Sequence, residues 1–85
     1  MRQFQHIILH EGGLHARVAV SLAGMCRDYE SRVSIQKGEL AGDGKDVFSM
    51  MNLKAVRGEV LTFLIEGTDE MEVEEQILQW CKTYL

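Results

Sequence analysis

Apolar and polar residues follow two periods along this chain, and the changes between them divide it into strands and helices. Alternation at every second position predicts strands over residues 3–9, 32–37 and 60–66, and a hairpin turn at Lys37-Gly38 predicts a further short strand near 40–43. Apolar spacing of three and four positions predicts helices over residues 16–27, about 47–53, and after Asp69 to the end. Glycines lie in most of the connections between these segments, and the chain contains no proline.

The resulting order β-α-β-β-α-β-α predicts an α+β fold. Helices on one face of a four-stranded, mostly antiparallel sheet make a two-layer, open-faced β-sandwich. With 85 residues, 46% of them hydrophobic, we expect one domain spanning residues 1–85, near the lower size limit for a self-sufficient core. So short a chain favours a shallow surface site over an enclosed cofactor pocket. No apolar run reaches the length of a membrane span or signal peptide, which predicts a cytoplasmic location.

Each predicted helix has one apolar stripe that we expect to be buried. Asp46 and Asp69 stand at the N-cap positions of the second and third helices, and Glu72 supplies the acidic half of a capping box. Cys26 and Cys81 lie on stripes outside any C-x-x-C pair, so buried reduced thiols are expected rather than a disulfide or metal site. The stripe positions are Ala19, Leu22, Ala23 and Cys26; Val47, Met50 and Met51; and Val73, Ile77, Trp80, Cys81 and Tyr84.

The net charge of −4 is unevenly distributed along the chain. Six of the thirteen acidic residues lie between positions 66 and 75, and the rest of the chain carries seven acidic against nine basic residues. No basic stripe supports nucleic-acid binding, and no membrane association is expected. Four basic residues outside the acidic segment are explained equally well by an ordinary mixed surface and by a docking surface for an acidic protein. The basic residues in question are Arg17, Arg27, Lys45 and Lys54.

Candidate chemistry concentrates in the segment Gly12-Gly13-Leu14-His15-Ala16-Arg17, where the first helix begins. His15 stands at or next to the N-cap, where backbone N–H groups lack intrahelical partners and the helix dipole is positive. Such an end binds phosphate, and the guanidinium of Arg17 fits phosphate oxygens. A nucleophilic imidazole beside an anion site is the arrangement that a transient phosphohistidine requires.

These residues resemble the active-site signature of the HPr family, the histidine-containing phosphocarriers of the bacterial phosphoenolpyruvate:sugar phosphotransferase system. The family pattern reads roughly Gly-(Leu/Ile)-His-Ala-Arg-Pro-Ala, and residues 13–19 depart from it at one position in seven. The likeness extends over the whole chain, with a second match around Lys45-Asp46. The resemblance implies the same open-faced sandwich. It also implies that the protein is a carrier, not a self-sufficient enzyme, and that Nδ1 of His15 accepts a phosphoryl group from enzyme I. Enzyme IIA domains would receive it during sugar uptake.

The resemblance also assigns roles to individual residues. His15 and Arg17 would act on the phosphoryl group, and Gly13, Ala16 and Val18 would shape the phosphate site. An exposed apolar rim of Val47, Phe48 and Met51 would contact both partners. We expect no cofactor and no metal ion, and a monomeric protein.

Two departures from the family pattern leave an alternative open. Val18 replaces the family's proline, and Asp46 replaces the regulatory serine of Gram-positive members, which predicts insensitivity to the serine-directed kinase. A paralogue that serves a regulatory relay instead of sugar transport is therefore a second hypothesis.

A third hypothesis is a small non-catalytic binding module in which His15 is only a helix cap. His6, inside a predicted strand, is interpreted as a satisfied structural or surface imidazole, and His10 as a residue that shapes the site at most. Spacing excludes a zincin H-E-x-x-H motif, a Walker A loop and a metal cluster, and Ser21 lacks the strand-turn-helix setting of a hydrolase nucleophile.

Overall fold

The computed structural model describes all 85 residues and contains four strands and three helices in the predicted order. The elements are β1 (Arg2–Ile7), α1 (Ala16–Arg27), β2 (Arg32–Lys37), β3 (Leu40–Asp43), α2 (Val47–Met51), β4 (Val60–Glu66) and α3 (Glu70–Tyr84). The predicted bounds of α1, β2, β3 and β4 are confirmed. None of the helices is both long enough and apolar enough to cross a membrane.

The first strand and the second helix each end two residues earlier than predicted, and the strand also begins one residue earlier. β1 ends at Ile7 because the amides of Leu9 and His10 turn away from the sheet and donate to the backbone oxygen of Leu85, at 2.6 and 3.3 Å. α2 ends at Met51, and a turn then leads to Lys54, which has a φ of +50°. A left-handed residue cannot continue a right-handed helix.

The sheet has the strand order β1-β4-β2-β3, and all neighbouring strands are antiparallel. Phe63 of β4 stands opposite Phe4 of β1 and Ile35 of β2, so β4 is an interior strand that is paired on both edges. The Phe4 and Phe63 rings stack with centroids 5.0 Å apart. Inward side chains of β2 and β4 are buried while their neighbours in sequence point outward, which confirms the open-faced α+β sandwich.

The helical stripes pack onto the inner face of the sheet, and the resulting core contains 20 buried hydrophobic residues. All predicted stripe positions of α1 are buried, and those of α3 are buried except Tyr84, which is 44% exposed. Cys26 and Cys81 are free and buried, as predicted, and burial raises the pKa of both thiols to about 12. Neither thiol is therefore ionised at neutral pH, which agrees with a structural role.

The two predicted aspartate caps behave differently. Asp46 caps α2, because its carboxylate accepts the N–H groups of Phe48 and Ser49 at 3.0 and 3.2 Å. Asp69 stands at the N-cap position of α3 but makes no capping hydrogen bond. Its carboxylate instead accepts the amides of Glu30 and Ser31, each at 2.9 Å, and the Ser31 hydroxyl. The predicted Asp69–Glu72 capping box is therefore wrong.

Candidate functional site

His15 is the N-cap residue of α1 and makes no side-chain capping bond. Its backbone is extended, with φ −83° and ψ 175°, and its carbonyl oxygen accepts the amide of Ala19 at 2.9 Å as the first intrahelical bond. The preceding amides, those of Ala16, Arg17 and Val18, therefore have no partner within the helix. The exposed imidazole and these N–H groups lie at the positive end of the helix dipole.

One edge of the His15 ring packs against Gly12. A Cβ placed on Gly12 would lie 2.7 Å from Cδ2 and 3.2 Å from Nε2 of the imidazole. Nδ1 therefore lies on the ring edge that faces away from Gly12. This contact makes Gly12 a site residue that the sequence analysis missed, although the doubled glycine before the histidine was a visible signal for it.

The backbone that precedes His15 is supported by the loop after α2. Gly13 has a φ of +61°, and a Cβ there would lie 2.5 Å from the carbonyl oxygen of Ala55. The same oxygen accepts the amide of Leu14 at 3.0 Å. Gly13 is buried, and its lack of a Cβ permits this close approach to the backbone of Ala55.

His15 and Arg17 line a surface depression of about 480 Å³. Of the other residues expected at the phosphate site, Val18 also lines it, while Ala16 and Gly13 do not. The C-terminal end of α3 supplies a wall that the sequence did not predict, and Trp80 fastens this helix to α1 by donating from Nε1 to Oγ of Ser21 at 3.1 Å. The lining residues are His10, Glu11, Gly12, His15, Arg17, Val18, Ser21, Thr83 and Tyr84.

The predicted apolar rim lies on and beside α2. Phe48 is 79% exposed and Met51 is 39% exposed, whereas Val47 is half-buried against the core. The interpretation of Met51 as an inward-facing residue of α2 is therefore wrong, because Met50 alone of this helix is fully buried. Val56, which follows α2 next to Gly13, adds a further exposed apolar side chain.

The basic residues differ in how far they are available to a partner. Arg17 makes no side-chain hydrogen bond or ion pair in this structure. Arg27 donates from Nε to the carbonyl oxygen of Lys45 at 3.0 Å, and the Lys45 ammonium donates to the carbonyl oxygen of Tyr29 at 2.7 Å. Arg27 and Lys45 therefore hold local backbone together, which leaves Arg17 as the cation directed at the depression.

The other two histidines have distinct environments. His10 is exposed and lines the depression. This position is compatible with the expected role of shaping the site. His6 is half-buried on the inner side of β1, and its buried Nε2 has no hydrogen-bond partner. No group of the protein satisfies this nitrogen, so the ring differs from the satisfied structural imidazole that was one of the two interpretations of His6. No group of three histidine, cysteine or carboxylate side chains is arranged to hold a metal ion.

Comparison with known proteins gives one consistent family. Residues 2–83 match the profile described as "PTS HPr component phosphorylation site". The chain is 30% identical over 78 residues to the phosphocarrier protein HPr of Cupriavidus necator, covering 92% of this chain and 88% of that protein. A structure of a Mycoplasma histidine-containing phosphocarrier protein superposes with a TM-score of 0.90 at 29% identity, covering 93% of this chain and 90% of that one.

The similarity extends to a much longer protein. The chain is 30% identical over 67 residues to the multiphosphoryl transfer protein of Xanthomonas campestris, and it spans 8% of that protein's length. A profile match over nearly the whole chain, together with the shared fold, leaves one assignment. The chain belongs to the HPr family of phosphotransferase-system phosphocarrier proteins.

Proposed function

We propose that this chain accepts a phosphoryl group on Nδ1 of His15 from enzyme I and passes it to enzyme IIA domains during sugar uptake. The observation that carries the proposal is that His15 and Arg17 line one shallow depression at the start of α1, where the first amides of the helix have no partner within it. In the transfer, the Nδ1 lone pair attacks phosphorus in line, and the bond from phosphorus to the donor atom breaks. The Arg17 guanidinium and the amides then hold the phosphoryl oxygens.

The orientation of the imidazole supports Nδ1 as the acceptor. Because the Cδ2–Nε2 edge packs against Gly12, Nε2 is shielded on that side, and Nδ1 is the ring nitrogen on the other edge. A shallow site suits a carrier, since the phosphoryl group must remain accessible to the next protein. The absence of a side-chain capping bond keeps the ring available for this chemistry.

Partner docking is assigned to the apolar rim of Val47, Phe48 and Met51. An aromatic ring that is 79% exposed gains free energy when a partner covers it, because its apolar surface leaves water. Both enzyme I and the enzyme IIA domains would use this rim, and the unpaired Arg17 would meet acidic groups of the partner.

The proposal is tested by incubating the protein with phosphoenolpyruvate and enzyme I and measuring intact mass. We expect a gain of one phosphoryl group that is lost in acid, as phosphohistidine is. His15→Ala should abolish the gain and keep the wild-type fold, because the His15 side chain makes no capping bond. His10→Ala, matched in residue type, should still be modified. Phosphorylation that persists in His15→Ala would contradict the assignment.

A carrier in a regulatory relay is the second candidate, and Val18 and Asp46 favour it because both depart from the family pattern. The two candidates differ only in the receiving protein. Transfer from the phosphorylated chain to sugar-specific enzyme IIA domains supports sugar uptake, whereas transfer only to regulatory enzyme IIA domains supports the relay.

A further inference from the structure

The loop from Lys54 to Val56 sets the position of the backbone just before His15. Its central carbonyl, that of Ala55, accepts the Leu14 amide at 3.0 Å and lies directly against Gly13. A shift of this carbonyl therefore moves Leu14 and, through one peptide unit, the acceptor histidine.

The conformation of this loop is not one that its sequence prefers. Lys54 has a φ of +50° and is the only non-glycine residue of the chain with a positive φ. Lysine has a Cβ and disfavours the left-handed region, so tertiary contacts must hold it there.

Two side chains provide those contacts. The Lys37 ammonium, at the end of β2, donates to the carbonyl oxygen of Lys54 at 3.2 Å and pairs with Oε1 of Glu59 at 3.4 Å. The same Glu59 oxygen accepts the amide of Val56 at 2.8 Å, and the Glu59 amide donates to the carbonyl oxygen of Val56 at 3.1 Å. One ammonium and one carboxylate thus hold the residues on both sides of Ala55.

The pair is partly shielded from water, and its carboxylate is ionised at neutral pH. The side chains of Lys37 and Glu59 are 20% and 36% exposed. The Val56 amide, and to a lesser extent the Lys37 ammonium, hold the pKa of Glu59 below its ordinary value, which keeps the carboxylate ionised.

We propose that Lys37 and Glu59 are positioning residues for phosphoryl transfer. They hold the peptide units on either side of Ala55. This fixes the backbone of Leu14 and His15 in the position from which the imidazole and the helix amides can contact the same phosphoryl group. Misplacement of a reacting atom by a fraction of an ångström slows an in-line transfer more than it weakens docking. This inference rests on the proposed phosphocarrier function of His15.

The test replaces Lys37 by Met, which keeps the length of the stem and removes the charge. We expect a several-fold lower kcat for phosphoryl acceptance from enzyme I, an unchanged KM for the carrier, and faster hydrogen exchange at the Leu14 amide. Lys37→Arg should restore all three measurements. Glu59→Gln retains an acceptor for the Val56 amide and should have the same effects in weaker form; it also carries the test if Lys37→Met does not fold.

The matched control is a second ion pair, far from the site in the sheet and α3. Arg2 contacts Glu74 at 2.8 Å, and Arg2→Met should leave kcat and Leu14 exchange at wild-type values. Equal values in Lys37→Met and wild type would overturn the proposal, as would a raised KM with unchanged kcat, since that indicates direct contact with enzyme I. If the wild type accepts no phosphoryl group, the proposed function fails, and Leu14 exchange still decides whether the pair holds the loop.

Discussion

The imidazole of His15 lies so close to the Cα of Gly12 that a single added methyl group would come within 2.7 Å of Cδ2. The Gly12 backbone therefore contacts the Cδ2–Nε2 edge of the ring and leaves the Nδ1 edge free. This contact joins two residues of one short loop, yet it depends on the turn of the chain between them, where Gly13 has a φ of +61°.

Gly12→Ala should displace the His15 ring and slow phosphoryl acceptance. The new methyl group cannot be accommodated without a change in the χ angles of His15, which turns Nδ1 away from the line of attack. We expect a lower kcat together with changed NMR chemical shifts of the His15 ring protons.

Gly24→Ala is the matched control for this substitution. Gly24 lies in α1 with no atom near the position of an added Cβ, so alanine should raise the free energy of unfolding by about 1 kcal/mol without altering transfer. Equal transfer rates for Gly12→Ala and Gly24→Ala would show that the Gly12 contact does not orient the ring.

Val18→Pro should alter the lifetime of the phosphohistidine. Val18 lies in the first turn of α1, where its amide has no helical partner and proline is sterically tolerated. Proline removes one of the three N–H groups that we assign to the phosphoryl oxygens. Hydrolysis of the phosphorylated variant, followed by intact mass, should differ measurably in rate from wild type, and identical rates would mean that this amide does not contact the phosphoryl group.

Asp46→Ala should destabilise the protein by about 1 kcal/mol, because the carboxylate that caps α2 through Phe48 and Ser49 is lost. Urea unfolding measures this change. Asp46→Ser keeps an oxygen acceptor at the cap and should retain most of the stability.

Asp46→Ser also tests the charge at this position. If enzyme I docks on the apolar rim through an acidic surface, as proposed, the Asp46 carboxylate one residue before the rim repels it, and salt screens this repulsion. The serine variant should therefore accept phosphoryl groups faster than wild type at low ionic strength, with the difference shrinking as salt is added. A rate that is unchanged at every salt concentration would leave Asp46 with the capping role alone.

Asp69 should make stability depend on pH in the acid range. The hydroxyl of Ser31 is the largest cause that holds the pKa of Asp69 below its ordinary value of 3.8, followed by the Glu30 amide. Because the folded state has the lower pKa, the ionised carboxylate stabilises the fold above pH 3.8, and that stabilisation is lost as the pH falls through the folded value.

Asp69→Asn should therefore lower the urea midpoint at neutral pH and flatten its decline in acid. Ser31→Ala removes only the hydroxyl donor and should give a smaller change in the same direction. An acid decline in Asp69→Asn as steep as that of wild type would show that other carboxylates dominate acid unfolding.

The element order and most element boundaries were predictable from the sequence, because apolar periodicity and glycine-containing loops act over a few residues. The stripe of α1 and the alternation in β4 required no knowledge of distant contacts. His15 and Arg17 were identified in the same way, since a helix start, two glycines and a guanidinium are adjacent in the chain.

Interactions between distant segments were decided only by the tertiary structure. Asp69 has the residue type and position of a cap, yet partners 38 and 39 residues away compete successfully for its carboxylate. Tyr84 continues an apolar stripe, but its ring is exposed and lines the depression. No local sequence pattern predicts that the backbone of Lys54 adopts the left-handed conformation. Contacts of this kind depend on which segments the folded sheet brings together, and that information is spread over the whole chain.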